Sequence, residues 1–479
     1  MSGSPSDQAV DLIVLAAGKG TRLKSDRPKV LHSLFGKPLL HHVLEAFEAL
    51  PIGQALAVVG HERQQVCNAL ESWRLPFPVR TIVQDPPAGT GDAVRCVARS
   101  QTPPQARDVI IAAGDVPLLK SASLQQLLST HREQANHLTL VAAQLDNPTG
   151  YGRVIVNLET GEAKEIVEEK DATPAQKAVR LVNAGLYCWD WQAVSPLLEH
   201  LTAGNAQQEF YLTDIVSLAA AEGLKVGVML LEDALEMTGV NSRQDLAECH
   251  QLLNERTQAR LMAEGVQIIA PQATWIGPNV EIGADTVVYP GCYLEGEISI
   301  GRHCAIGPHT QLGGRVRIGD RVTVAHSVVR DAEIAEDAWV GPFAHLRDGV
   351  SVSHHVKIGN FVEVKNTSLG DRAAAAHLAY LGDARLGADV NIGAGTITAN
   401  YDPIREAKHQ TIIEDRAKVG SNSVLIAPVT IGEDASVAAG SVITKDVAPW
   451  DLAIARGRQT AISNWVKKTR ASVTPSTPV

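Results

Sequence analysis

Residues 276–307 read IGPNVEIGADTVVYPGCYLEGEISIGRHCAIG. Steps of six from Ile276 land on Ile282, Val288, Leu294, Ile300, Ile306, Leu312, Ile318 and Val324, all aliphatic, and Gly follows at once at 277, 283, 301, 307 and 319. The register slips and resumes at Ile334, Val340, Leu346, Val352, Ile358 and Val364. It slips again before Ile413, Val419, Leu425, Ile431, Val437 and Ile443. Neither the helical period nor the strand period produces a fixed hexad; a parallel β-helix does. Three hexads close one triangular coil, and each aliphatic side chain stacks inward on its equivalent in the next coil. The adjoining Gly is expected to turn the corner at dihedral angles that a β-branched residue resists.

Aliphatic–Gly hexads in triangular coils resemble the left-handed parallel β-helix, an exception to the right-handed rule for parallel crossovers. The hand comes from that resemblance, not from the spacing.

Working outward, 479 residues suffice for two domains or more, each with its own core. A net charge of −10 gives no global attraction for nucleic acid or an anionic membrane. No apolar run approaches the roughly 20 residues of a membrane span, and the opening MSGSPSDQ is polar, unlike a secretory signal. The six cysteines (Cys67, Cys96, Cys188, Cys249, Cys292 and Cys304) form no C-x-x-C pair, which argues against a zinc site or a disulfide framework. A cytoplasmic protein without membrane insertion or nucleic-acid partner is expected.

Residues 1–8 read as a disordered tail and 9–240 as an α/β domain. DLIVLAAG, QALAVVG, Val79–Val83, DVIIAAGD and His137–Ala142 are expected strands; helices near Pro38–Leu50 and Arg63–Leu70 alternate with the first of them. That order predicts a Rossmann-like, mostly parallel sheet with ligands at the carboxyl ends of its strands. Residues 241–266 read as a linker helix, 267–465 as the β-helix and 466–479 as a flexible tail.

Two constellations carry chemistry. The first is the Gly-rich turn Leu15-Ala-Ala-Gly-Lys-Gly-Thr-Arg-Leu23 with Arg27-Pro28-Lys29 behind it, neither Walker A nor the dinucleotide fingerprint. Small residues let backbone N–H groups approach a polyphosphate, and Arg22 and Lys29 add positive charge. Asp115 ends a buried strand, where one carboxylate suits Mg²⁺ shared with phosphates and water. The second lies between about 361 and 410, where NFVEVKN, AAHLAYLGD and NIGAGTITANYD interrupt the hexads. A β-helix coil needs no His here, and a neutral imidazole suits proton transfer near pH 7; His377 is the only His of this stretch before the loop at 398–412. Residues 398–412 read as a loop ejected from the coil. His303, His309, His354 and His355 are expected in solvated turns, and Trp275, Trp339 and Trp450 in packing roles.

LAAGKGTRL with the following PK, AGTGDA at 88–93, AGDVPL at 113–118, GYGR at 150–153, IVEEKDA at 166–172, VNAG at 182–185 and GVN at 239–241 resemble the sugar-nucleotide pyrophosphorylases. Their order, followed by the hexads, resembles the bifunctional N-acetylglucosamine-1-phosphate uridyltransferase / glucosamine-1-phosphate acetyltransferase family over roughly residues 10–460. The resemblance implies an enzyme that acetylates glucosamine 1-phosphate from acetyl-CoA and then couples the product to UMP from UTP. The product would be UDP-N-acetylglucosamine, which feeds peptidoglycan and lipopolysaccharide synthesis in bacteria.

Carried over to this chain, the resemblance implies a uridine pocket of Leu15, Ala16, Ala17, Gly18, Gln84, Gly89 and Thr90. Arg22 and Lys29 would face the triphosphate, Asp115 and Asn241 would bind Mg²⁺, and Gly152, Glu168, Asn183 and Asn241 would contact the sugar. It implies His377 as general base with Glu363 orienting it, and Arg347, Lys365, Tyr380 and Asn391 around the sugar phosphate. Ala394, Asn400, Tyr401, Ser421, Ala439 and Arg456 would line the acetyl-CoA site. It also implies a homotrimer through the β-helix. The chain departs from the family pattern at Pro86-Pro87, at Asp92 where a His is expected, and at Asp348, where Pro usually follows the Arg.

Two rivals remain. One keeps the pyrophosphorylase chemistry and makes the β-helix an assembly or allosteric module; the other is a non-enzymatic scaffold. The first has no use for the groups around His377 and Tyr380, and the second would tolerate loss of Lys29 or Asp115.

Overall fold

The computed structural model describes residues 9–472. The tail expected at 1–8, and residues 473–479, lie outside it. The chain divides into two compact units, separated in sequence between Asn254 and Glu255.

In the first unit the main sheet runs Val226–Leu230, Leu138–Gln144, Leu181–Asp190, Asp108–Ala113, Val10–Ala16, Ile52–Val59, Val79–Val83. Leu181–Asp190 is antiparallel to both its neighbours; the other adjacent pairs are parallel. Alternation within Val10–Ala16 explains why both faces are covered. Val10, Leu12 and Val14 enter one apolar core, packed with Leu40, Val43 and Phe47 of helix Leu39–Ala46 and its C-terminal end. Ile13 enters the other, with Val94 and Val97 of helix Thr90–Ala98. The parallel strands end beside Ala17, Gln84 and Asp115, so the sheet brings the expected phosphate-binding residues to one edge. Helix Arg243–Ala263 starts at a reciprocal cap: the Ser242 hydroxyl donates to Asp245 Oδ1 at 2.8 Å, and the Asp245 N–H donates back to Ser242 Oγ at 3.2 Å.

The second unit is a parallel β-helix. Every hexad residue named above is buried, from Ile276 and Val288 at 0% to Ile282 at 6% exposure. Parallel ladders stack them coil on coil: Ile276 on Leu294, Leu294 on Leu312, Leu312 on Val329, then Leu346 and Val364. Burial of each such Val, Leu or Ile contributes about 1.5–3 kcal/mol. The slips have a simple cause. Sides shorten from six residues to five at Val324–Val329–Ile334, Val364–Leu369 and Leu381–Leu386, and each of these residues is still buried. The second slip also contains an insertion, in which Tyr401–Asp402 pairs antiparallel with Ala407–Lys408. Ile404 at its tip is 92% exposed.

The role expected of the glycines holds at Gly307 (φ 106°) and is corrected at Gly283, Gly301 and Gly319. Left-handed backbone at one corner falls two residues beyond them, at Asp285, His303, Arg321, Asp337, His355, Arg372, Asp389, Arg416 and Asp434. Gly283, Gly301 and Gly319 answer a different constraint. A Cβ on Gly283 would lie 2.8 Å from the Gly301 carbonyl carbon, and one on Gly319 would lie 2.8 Å from the Glu336 nitrogen. The next coil's backbone passes where a side chain would begin.

Two further expectations change. Trp339 and Trp450 are 50% and 76% exposed rather than packed; Trp339 precedes the inward Val340, so strand alternation turns it outward. Residues 465–472 form a helix where a flexible tail was expected from 466. The Lys468 N–H donates to the Asn464 carbonyl at 2.9 Å, and the Thr469 hydroxyl to the Trp465 carbonyl at 2.9 Å. Among the described residues no helix is long and apolar enough to cross a membrane.

Gly319→Ala is therefore expected to destabilise the β-helix by about 1–3 kcal/mol through overpacking. Gly457→Ala, where nothing lies within 4 Å of the added carbon, should be neutral within about 0.5 kcal/mol. Urea unfolding followed by circular dichroism measures both.

Candidate functional site

At the carboxyl edge of the sheet, two oxygen acceptors converge on one ammonium group. Lys29 begins a short 3-10 turn after Pro28, its Nζ donates to Asn241 Oδ1 at 2.6 Å, and it forms an ion pair with Asp115. Asn241 precedes the capped helix start, and Val240 is tied back to the strand end by its N–H donating to the Asp115 carbonyl at 2.9 Å. Asp115 and Asn241, far apart in sequence, are thereby joined around the ammonium. Such a pair of hard oxygens suits a divalent cation that keeps water or phosphate in its other positions. Among the described residues no group of three or more His, Cys, Asp or Glu side chains could hold a metal by itself.

The Gly-rich turn leaves Val10–Ala16 and rises through the left-handed Gly20 (φ 61°) into the 3-10 turn Thr21–Leu23. A Cβ on Gly20 would strike Lys29 Cβ at 2.7 Å, whereas Gly18 faces open space. Arg22 is exposed on that turn, while Ala16 and Ala17 are buried. Gln84 follows strand Val79–Val83 and donates from its amide nitrogen to the Gly89 carbonyl and to Asp92 Oδ2, each at 2.9 Å. Thr90 Oγ1 accepts from the Leu212 N–H at 3.1 Å. Gln84, Lys19, His61 and Pro86 share the lining of a surface depression of about 520 Å³.

The expected sugar contacts also group. The Asn183 N–H donates to the Gly152 carbonyl at 2.9 Å, and Asn183 Nδ2 to the Tyr187 hydroxyl at 2.7 Å. A Cβ on Gly152 would lie 3.3 Å from Glu168 Oε1, which accepts from the Thr213 hydroxyl at 3.1 Å. Burial pushes the Glu168 carboxyl above its ordinary value; the Thr213 hydrogen bond opposes this, and nearby Asp214 and Asp171 add to it.

On the β-helix, coil stacking sorts the expected residues into columns. Asn360 and His377 are ladder partners. Ala394, Ser421 and Ala439 continue the same line: the Asn422 N–H donates to the Ala394 carbonyl at 2.7 Å, and the Gly440 N–H to the Ser421 carbonyl at 2.8 Å. Arg456 Nη1 donates to the Ala439 carbonyl at 2.8 Å. Around the corner, Glu363 stacks under Tyr380, and Lys365 under Gly382, in a second column. Arg347 Nη1 donates to Glu363 Oε1 at 2.8 Å, and that bond raises the guanidinium pKa further. Asn391 lies apart from both, on the ladder between Ala374 and Lys418. Asn400 is buried and donates to Asp383, while Tyr401 is exposed on the hairpin.

One expectation shifts. The His377 ring meets Asn360 Oδ1 through Nδ1 at 2.7 Å, and Glu363 bonds Arg347 instead. Within the chain, Asn360 occupies the place given to Glu363, because the 17-residue coil puts it directly against His377 while Glu363 lies past the corner.

Comparison with known proteins follows the same division. Residues 12–209 match the MobA-like NTP transferase domain and 410–445 the bacterial transferase hexapeptide (six repeats). "Bifunctional protein GlmU" of Trichormus variabilis is 44% identical over 97% of this chain and 100% of its own. That of Alkaliphilus metalliredigens is 42% identical over 95% and 98%. The chain belongs to the GlmU family. The solved structure of HddC from Yersinia pseudotuberculosis aligns with 50% of this chain and 98% of its own, at 17% identity and a TM-score of 0.38.

Sequence reasoning from the GlmU pattern missed Asn360, Thr213 and Tyr187, the partners of His377, Glu168 and Asn183. For Asn360 the signal was available: a residue one coil before His377 must lie beside it. For Thr213 and Tyr187 no spacing rule gives the contact. The β-helix thiols Cys292 and Cys304 are buried and raised above the ordinary value by burial, as is Cys188; Cys249 is pushed up to about 12 by the same cause. Thiolates are scarce at such positions. Burial and the nearby Asp92 carboxylate also raise the half-buried Cys96, so a thiol reagent at pH 8 is expected to label Cys67 first, Cys96 more slowly, and all six only on denaturation. Mass mapping of labelled peptides checks this.

Proposed function

We propose that the β-helix acetylates glucosamine 1-phosphate from acetyl-CoA, and that the α/β domain couples the product to UMP, giving UDP-N-acetylglucosamine and pyrophosphate. The observation that carries this reading is the union, in one chain of the GlmU family, of the Lys29–Asp115–Asn241 cluster and the imidazole column of His377.

In acetyl transfer the substrate amine attacks the thioester carbonyl. With Asn360 Oδ1 accepting from Nδ1–H, the lone pair of His377 rests on Nε2, free to take the ammonium proton as the C–N bond forms and the C–S bond breaks. The sulfur leaves as the CoA thiol(ate). The line Ala394, Ser421, Ala439, Arg456, together with Asn400 and Tyr401, would carry acetyl-CoA. Arg347, Lys365, Tyr380 and Asn391 would hold the sugar phosphate, with Glu363 fixing Arg347.

In uridyl transfer a phosphate oxygen of N-acetylglucosamine 1-phosphate attacks the α-phosphorus of UTP and pyrophosphate leaves. Asp115 and Asn241 would hold Mg²⁺, which supplies charge neutralisation between phosphate oxygens when bound. Lys29 and Arg22 add fixed positive charge along the triphosphate. Leu15 to Gly18, Gln84, Gly89 and Thr90 orient the uridine, and Gly152, Glu168 and Asn183 the sugar. No covalent intermediate is needed, because alignment and charge neutralisation carry the reaction.

The acetyl-transfer half is proposed to work as a homotrimer. Support comes from one corner of the β-helix, where the rings of His309, His326, Phe343 and Phe361 follow one another at 5.8, 5.5 and 5.5 Å. Phe343, Phe361 and the following Leu378 are 53%, 56% and 60% exposed. A second copy would cover this ridge, next to the His377 column. The proposed location is the cytoplasm, where acetyl-CoA and UTP are available.

CoA-thiol release without UTP and pyrophosphate release from UTP separate the halves. Asp115→Ala should abolish uridyl transfer and spare acetyl transfer, and His377→Ala should do the reverse. A wild type releasing no thiol would reduce the β-helix to a scaffold. Asn360→Leu should lower kcat for acetyl transfer about tenfold, a part of the roughly 10²–10⁴-fold that a general base contributes, because the base itself is kept. Asn360→Asp, which keeps an acceptor, should retain most of it.

A further inference from the structure

The base-recognition end of the nucleotide site contains a lock that the family pattern does not supply. Gln84 is 3% exposed, and its amide nitrogen donates to the Gly89 carbonyl and to Asp92 Oδ2. A carbonyl and a carboxylate paired with an arginine can only accept, so one orientation of the Gln84 amide is allowed and the other would set oxygen against oxygen twice. Among the described residues no protein donor reaches the remaining Oε1.

Asp92 is itself braced. Its Oδ1 accepts from Arg95 Nη2 at 2.7 Å, with the two side chains 14% and 13% exposed. The Arg95 guanidinium lies 4.1 Å from the centre of the Phe210 ring. Phe210 closes the circuit through its backbone, whose N–H donates to the Ala88 carbonyl at 2.9 Å and whose carbonyl accepts from the Gly91 N–H at 2.8 Å. The loop that carries Gly89 and the side chain that fixes Gln84 therefore form one unit. A His at position 92 could donate or accept and would leave the orientation of Gln84 to the Gly89 carbonyl alone; Asp cannot donate and so adds a second hold of the same sense.

We infer that Asp92, braced by Arg95 and Phe210, is a specificity-determining positioning residue that holds the Gln84 amide oxygen toward the nucleobase. An oxygen fixed there welcomes a protonated ring nitrogen, as at N3 of uracil, and opposes a bare acceptor, as at N3 of cytosine. The inference rests on the uridyl-transfer reading and adds to it a stricter choice of pyrimidine.

The experiment compares kcat/KM for UTP and CTP by pyrophosphate release in wild type, Asp92→Asn, Gln84→Ala and the double variant. Asp92→Asn can present an N–H to Gln84, so the UTP-over-CTP ratio is expected to fall about tenfold or more, the scale of a lost hydrogen-bonding discrimination, with the change carried by KM. In the Gln84→Ala background the same substitution should change the ratio no further. An unchanged ratio in Asp92→Asn, or an equal fall in the double variant, overturns the inference. If Asp92→Asn does not fold, Arg95→Met, which removes the brace and keeps the carboxylate, should lower the ratio by a smaller factor; no change there counts against the lock. A wild type that turns over no UTP removes the uridyl-transfer reading instead. The lock is then read from UMP and CMP affinities, which the Asp92 variant should bring together if it exists and leave apart if it does not.

Discussion

The close passage of one coil's backbone over the next governs the C-terminal half. At Gly283, Gly301 and Gly319 the neighbouring coil comes within 3 Å of a would-be Cβ, so these positions exclude every side chain. That contact fixes the vertical register, and the register turns residues 16 to 18 apart into neighbours. Asn360 bonds His377, Arg321 pairs with Asp337, Arg372 with Asp389 and Arg416 with Asp434 by the same rule. The exposed ion pairs of this ladder contribute little each. The imidazole, by contrast, acquires a fixed acceptor on one nitrogen.

A different constraint governs the α/β domain. Parallel strands covered on both faces leave only their carboxyl ends for ligands, and the chain returns there repeatedly with small or charged residues. Lys29, Asp115 and Asn241 come from three separate returns. An ammonium between a carboxylate and an amide oxygen ties these three returns to one point.

Much of this was legible in the sequence, for a physical reason. A hexad names the inward residue directly, since burial and period coincide, and every aliphatic position chosen that way is buried. Strand–helix alternation likewise revealed the sheet and the edge where Asp115 lies. What the pattern hid was anything that depends on side-chain geometry at a fixed backbone position. The glycines looked like corners because Gly tolerates left-handed backbone, and Gly307 is one; yet Asp, Arg and His occupy the left-handed positions of another corner, and Gly283, Gly301 and Gly319 serve close approach. Trp339 looked like core by type, but alternation with Val340 turns it outward. Glu363 looked like the partner of His377 by chemistry, but the coil turns between them.

The departure from the family pattern at residue 92 shows how a local reading can change sign. In the sequence, Asp92 beside Pro86-Pro87 looks like a weakening of the nucleotide loop, an added negative charge where a His is expected. In the structure that charge is balanced by Arg95, which is itself laid against Phe210, and its second oxygen is directed at Gln84. The charge is therefore spent on orientation. A carboxylate lacks the ambiguity of an imidazole, and removing ambiguity in one amide is sufficient to distinguish a protonated ring nitrogen from an unprotonated one. Specificity in this view arises one residue behind the contact, where a group with a single hydrogen-bonding role fixes a group that has two.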